Sequence, residues 1–443
     1  MNPTRHFHFP VADAIVTYRR ADMPPVQCGM SSLSSAREVL SNRQFALLWS
    51  GQTMSQLGDG VLSVALPLLV LAITRNATDL GLVIAARLVP TVAFLLLGGV
   101  VSDRVSRRLA MLTSDASRAL ITLSMGVLAL SGSLNFSELL VGSILFGVFD
   151  ALFYPASTAL LPELVMAEQL TSSNSLSRFS GALAGGLIGP IVGGVIASTI
   201  GTSWSLVIDA GTFLVSAGSL LAMRSTPRPE SSGQSMVGEI REGLSYCRRT
   251  PWIFWTIGVA GLANALVFSP SAILLPLLFK RVLHAPNWMV GVGFAAVGLG
   301  GLVGAAVMII VPRPKARVRT MWLAWAGAPI LAVLFGLAQS AWLASLIVFA
   351  VGALLMVGNI LWESLMQSEV PKEILGRVSS VDWMVSLGLS PVGVAIAGVV
   401  SGIVGIRATI IVPAVVIGLM SLVPLLFIRS ITAIDRRPLT SES

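Results

Sequence analysis

The chain has 443 residues, 54% of them hydrophobic and only 11% charged. Soluble domains carry about 25% charged residues, so a surface built mainly for water is excluded. The net charge of +8 does not call for nucleic acid, because the basic residues sit in short loops between apolar runs, as they do on the cytoplasmic side of membrane proteins. Cys28 and Cys247 are far apart and imply no disulfide framework. His6, His8 and His284 all lie outside the apolar runs, which leaves no histidine-rich metal site, and no cofactor is called for.

Residues 1–43 are polar and read as a disordered cytoplasmic tail rather than a signal peptide, with Met23 or Met30 as alternative starts. A spanning helix needs about 20 apolar residues, and backbone groups in lipid must be satisfied internally, so the apolar runs predict helices. They fall near 45–74, 80–102, 109–131, 137–162, 171–199 and 203–223. After a polar stretch they resume near 252–279, 288–312, 319–339, 341–364, 374–403 and 406–428. The expected fold class is all-α integral membrane, with about twelve helices in two six-helix bundles. The domains are a tail over 1–43, a first bundle over 44–223, a linker over 224–250, a second bundle over 251–428 and a tail over 429–443. Within the linker, Pro227, Pro229 and Gly233 read as flexible, and Met236 to Arg249 as a surface helix.

With both termini placed inside, the cytoplasmic segments hold 22 of the 29 Lys and Arg residues, against Arg75, Lys280, Arg281 and Arg407 outside. That asymmetry predicts cytoplasmic N and C termini. The two halves are weakly alike: a helix-loop-helix around Pro162 and Pro190 matches one around Pro371 and Pro391.

Transport against a gradient needs an energy source. A P-loop requires Gly-Lys before Ser or Thr. The three lysines, Lys280, Lys315 and Lys372, follow Phe279, Pro314 and Pro371, so a P-loop is excluded. A membrane-embedded enzyme needs clustered His, Cys or carboxylates, and the acids here are scattered.

Three motifs carry more. The first is Gly99-Val-Val-Ser-Asp103-Arg104-Val-Ser106-Arg107-Arg108, with Gly99 suited to close helix approach and Asp103 to a helix N-terminus. An ordinary positive-inside loop is the alternative. The spacing resembles the first-loop signature of the major facilitator superfamily, with Ser106 where that pattern usually has Gly. The resemblance implies that Asp103, Arg104 and Arg108 latch the halves on the cytoplasmic side, Asp103 facing Gly376 and Arg377. The second is Gly185-Gly-Leu-Ile-Gly189-Pro190-Ile-Val-Gly193-Gly194, in the fifth span. Small residues pack closely and Pro190 bends the helix. Plain packing is the alternative, but the pattern is similar to the fifth-helix signature of the superfamily's drug/proton antiporters, which implies export. Tyr154-Pro155-Ala156-Ser157, Leu161-Pro162-Glu163-Leu164 and Gly376-Arg377-Val378-Ser379 resemble the branch of macrolide efflux proteins and enterobactin exporters.

Ionisable groups inside spans are costly and are functional candidates by default. Asp59 lies about 22 Å from the outer end of its span and Asp150 about 20 Å from the same side, at 1.5 Å per residue. The resemblance puts both spans around a central cavity. Two carboxylates in an apolar site suit proton binding and release. Asp59 and Asp150 are therefore the candidate proton or cation-substrate site, the alternative being that one merely pairs with an arginine. Asp115 and Arg118 are three apart and suit pairing along one helix. Arg87 and Asp209 share a depth of about 10 Å and could pair, the alternative being that the fold keeps spans two and six apart. Arg178 and Asp382 form a possible inner gate.

The expected function is proton-coupled export of an amphipathic small molecule, such as a drug or siderophore, by a monomer in a bacterial inner membrane. The expected partners are substrate, protons and lipid, with no nucleic acid. The alternatives are a proton-coupled symporter and a non-transporting scaffold or enzyme.

Overall fold

The computed structural model describes residues 37–102, 106–166, 169–224, 236–310, 314, 316–427 and 435. The first half consists of α1 (Arg43–Thr74), α2 (Ala77–Ser102), α3 (Arg107–Leu130), α4 (Phe136–Leu164), α5 (Leu170–Leu183), α6 (Gly189–Thr199) and α7 (Thr202–Ala222). A π-helical turn, Ala184–Ile188, joins α5 to α6 as one traverse. The linker helix is α8 (Met236–Arg249). The second half consists of α9 (Pro251–Ala263), α10 (Ser271–Leu277), α11 (Asn287–Ile310), α12 (Arg317–Leu337), α13 (Ala341–Glu369), α14 (Lys372–Gly388), α15 (Ser390–Ile403) and α16 (Ile406–Phe427). Here α9 and α10 form one traverse interrupted by π turns at Asn264–Phe268 and Leu278–Val282, and α14 runs into α15.

Among the described residues, eleven helices are long and apolar enough to cross a membrane. The remaining long helix, α3, has 24 residues. It falls below that apolarity because Asp115 and Arg118 lie in its middle. It packs between α4 and α7 and completes the twelve expected traverses.

Local chemistry sets the helix ends. Asn42 caps α1 by accepting from Gln44 N and Phe45 N, and Asn135 forms a capping box with Glu138 on α4. Gly201 opens α7 at φ 96° and Gly405 precedes α16 at φ 89°, left-handed values that favour glycine. The same turn therefore stands before the sixth traverse of each half.

In the first half α1 and α3 pack on α7, and α2 and α3 on α4; in the second, α11 and α12 pack on α13, and α12 on α16. The halves meet through α2 against α15 and through α6 against α11. These seams lie toward the end opposite the linker helix. A Cβ at Gly81 would stand 2.9 Å from Gly398 Cα, and one at Gly291 would stand 3.0 Å from Gly194 Cα. At this far end Arg281 Nη2 also donates to Arg75 O at 2.5 Å and Asn287 Nδ2 to Ala197 O at 3.2 Å.

Candidate functional site

The first half holds an ion cluster built from five helices. Asp59 on α1 accepts from Arg87 Nη2 on α2 at 3.1 Å. Asp150 on α4 accepts from Arg118 Nη1 on α3 at 3.0 Å, and Asp115 accepts from Arg118 Nη2 at 2.5 Å. Ser216 Oγ on α7 donates to the other oxygen of Asp115 at 2.6 Å. Aromatic rings close the cluster. The Arg87 guanidinium lies 4.0 Å from the Phe146 centroid, and that of Arg118 lies 4.4 Å from Phe213 and 4.5 Å from Phe153. Cations stack favourably on such ring faces.

The cluster divides by access. Asp115 and Arg118 are sealed, at 0% and 2% side-chain exposure. Asp59 keeps 35%, Arg87 23% and Asp150 29%. Asp115–Arg118 is thus an internal brace, whereas Asp59, Arg87 and Asp150 are reachable by small species. Asp59 and Asp150, matched in depth by the sequence, do belong to one cluster, each held by its own arginine. The pairing of Arg87 with Asp209 that depth allowed is not formed: Arg87 goes to Asp59, because α2 presents it to α1 rather than to α7.

Asp209 is the residue that spacing arithmetic undervalued. It is fully buried, and neither carboxylate oxygen has a hydrogen-bond partner. A Cβ at Gly58, the neighbour of Asp59, would come 2.5 Å from Asp209 Oδ1, so the bare backbone of α1 lies here against the Asp209 and Thr212 side chains of α7. The available signal was a polar stripe, Ser205, Asp209, Thr212 and Ser216, at helical spacing in an otherwise apolar run; all four are buried.

The glycine-proline motif has two working faces. Gly185, Gly189 and Gly193 point at α1: a Cβ on Gly189 would stand 2.7 Å from Gly60 Cα, and one on Gly193 would stand 2.5 Å from Val61 O. Gly194 points at α11, where its Cβ would stand 3.1 Å from Gly291 Cα. Pro190 stands one residue after the π turn, in the first turn of α6. The motif is therefore a wedge between the first and eighth traverses, one in each half.

The expected gate residues are only partly described. Asp103 and Arg104 lie outside the described residues, and Gly99 lies within α2. Arg108 donates to Leu220 O at 2.6 Å and Leu221 O at 2.8 Å, capping α7 within its own half. Arg377 donates to Glu242 of the linker helix at 2.5 Å, and the space around Gly376 is open. Arg178 and Asp382 are not brought together. Arg178 is exposed on α5, and Asp382 accepts from Trp362 Nε1 at 2.9 Å. The tryptophan holds the carboxylate within the second half, and the inner-gate pair is not formed in this state. Outside the spans, Cys247 on α8 is buried, and that burial pushes its thiol up to about 11. No group of three or more His, Cys, Asp or Glu able to hold a metal occurs among the described residues.

Comparison with known proteins fits this architecture. The family model described as Major Facilitator Superfamily matches residues 48–386. The multidrug efflux pump Tap of Mycolicibacterium fortuitum is 26% identical over 394 residues, covering 85% of this chain and 93% of Tap. The enterobactin exporter EntS of Escherichia coli O1:K1 is 24% identical, covering 80% and 84% respectively. Among solved structures, the nucleoside transporter NupG aligns with a TM-score of 0.67 at 12% identity, over 86% of this chain and 99% of its own. A bacterial homologue of the iron transporter ferroportin, in its inward-facing state, aligns with a TM-score of 0.64 at 17% identity, over 86% and 98%.

Proposed function

Because the chain belongs to the major facilitator superfamily, and is a membrane transporter rather than an enzyme, we propose that it exports an amphipathic small molecule in exchange for protons. Its named relatives, a multidrug pump and a siderophore exporter, support the outward direction. The observation that carries proton coupling is the pair of accessible, arginine-held carboxylates, Asp59 and Asp150, inside the first bundle. A proton on either acid removes the charge that holds its arginine, so proton binding and ion pairing compete for one group.

The lysine and arginine asymmetry supports cytoplasmic termini, with the far end outside. In that orientation the glycine seams between α2 and α15 and between α6 and α11 close the outer side. Residues 44–223 and 251–428 are then the two units that rock about the wedge of Gly185, Gly189, Pro190, Gly193 and Gly194, with 224–250 as their cytoplasmic tether. Asp103, Arg104 and Arg108 with Arg377 serve as the inner latch of the opposite state. The chain works as a monomer in a bacterial inner membrane.

Proteoliposomes carrying a preset proton gradient test this reading. With ethidium or a macrolide as the probe, antiport predicts that adding the compound dissipates the gradient in the direction opposite to compound flow. Symport would couple the two flows in the same direction, and a non-transporting protein would leave the gradient unchanged.

A further inference from the structure

Asp209 has no role in the mechanism above, yet it is the acid with the least support. Its charged neighbours can be counted on every side. Asp59 on α1, Arg87 on α2 and Arg118 on α3 act on it, Arg118 being itself paired with Asp115 and Asp150; the segment of α6 that packs on α7 carries no charge. Both arginines are already engaged, Arg87 by Asp59 and Arg118 by Asp115 and Asp150. Four acids and two arginines leave two negative charges in excess if every carboxyl is ionised. Asp115 has Arg118 and Ser216, Asp150 has Arg118 and Asp59 has Arg87, but the two oxygens of Asp209 are buried without any hydrogen bond. Ser205 Oγ, one turn away on α7, is likewise buried and unpartnered. An isolated carboxylate in such a place is strongly disfavoured, whereas a carboxylic acid is tolerated.

We propose that Asp209 is the proton-holding group of the carrier, and that Arg87 passes between Asp59 and Asp209 as the proton moves. This rests on the proton-coupled reading above and names its internal store. In the state seen here Asp59 is the carboxylate paired with Arg87, and Asp209 keeps its O–H bond. In the alternate state Asp209 is the carboxylate paired with Arg87, and Asp59 carries the proton. Conversion breaks the Asp209 O–H bond, forms an O–H bond on Asp59 and moves the Arg87 guanidinium the other way. The trio holds one proton and zero net charge in both states, so no ion is added to the apolar bundle. The bare backbone at Gly58 lets α7 lie against α1 beside Asp59, and the partial exposure of Asp59 lets it release the proton to water. Asp209, which is sealed, cannot do so directly.

Infrared difference spectroscopy of the full chain in lipid nanodiscs at neutral pH tests the assignment without any substrate. The carboxylic-acid carbonyl band present in the wild type is expected to disappear in Asp209→Asn. It is also expected to disappear in Asp59→Asn, because the freed Arg87 then pairs with Asp209 and displaces its proton. It should return in the double variant Asp59→Asn, Arg87→Gln. A band that persists in Asp209→Asn overturns the proposal, and so does one that survives unchanged in Asp59→Asn. If Asp209→Asn does not fold, the comparison of Asp59→Asn with the double variant decides alone. Loss of proton exchange in the vesicle assay with this band pattern intact would count against antiport and leave the protonation of Asp209 standing.

Discussion

Replacing Arg118 by Gln removes the cation that, among the described residues, pairs with both Asp115 and Asp150. The Asp115 arm is sealed, at 0% and 2% exposure, and removing one partner of a buried pair costs about 3–5 kcal/mol. The Asp150 arm is 29% exposed on its acid, so it is screened and adds at most about 1 kcal/mol. Losing the cation over Phe153 and Phe213, at 4.5 and 4.4 Å, costs roughly another 1 kcal/mol. These contributions share one group and do not add fully, so a loss of about 4–5 kcal/mol is expected. Thermal unfolding of purified protein, followed by fluorescence-detected gel filtration, reads this as a fall of many degrees. The double variant Asp115→Asn, Arg118→Gln removes the stranded buried charge and recovers most of the loss. If Arg118→Gln unfolds at the wild-type temperature, or if the double variant is worse than the single one, Asp115–Arg118 is not the brace described here.

Three further outcomes follow from other parts of the fold. Gly398→Leu forces a side chain against Gly81, where a Cβ alone would meet Cα at 2.9 Å; spin labels on the exposed Ser133 and Gln339 should report a longer far-end distance, and an unchanged distance distribution would refute the seam. Glu242→Gln breaks an exposed pair with Arg377 worth at most about 1 kcal/mol, so trypsin should cut at Arg248 and Arg249 no more than about fivefold faster; a much larger acceleration would mean that α8 hangs on that pair alone. In a Cys28→Ser chain, Cys247 should resist iodoacetamide at neutral pH and react only as pH approaches about 11, because burial raises its thiol and the thiolate is the reactive form; brisk labelling at pH 7 would contradict its burial.

The apolar runs locate the traverses to within a few residues because lipid forces each run to be helical, whatever its other interactions. Depth was equally legible, since a fixed rise per residue places Asp59 and Asp150 together without knowledge of tertiary structure. Partner choice was not. Depth alone allowed Arg87 to meet Asp209, and only the rotation of α2 toward α1 hands it to Asp59. The Arg178–Asp382 pair is likewise not formed in this state, since Trp362 reaches Asp382 from α13 inside the same half. The glycine motif was legible as a packing device, but not its two faces, one against α1 and one against α11. The buried stripe of Ser205, Asp209, Thr212 and Ser216 was present in the sequence at helical spacing. What gave Asp209 its importance was the absence of a partner, which no spacing reveals.

The most direct test of the account is the movement of protons during transport by proteoliposomes of the wild type and of Asp59→Asn. With a compound to which the transporter gives resistance in a pump-deficient strain, the wild type should move protons inward for each molecule moved outward. Asp59→Asn should bind the compound but lose that exchange. Compound transport in the wild type without proton movement, or wild-type proton exchange in Asp59→Asn, would contradict the assignment of the first-half ion cluster as the coupling site.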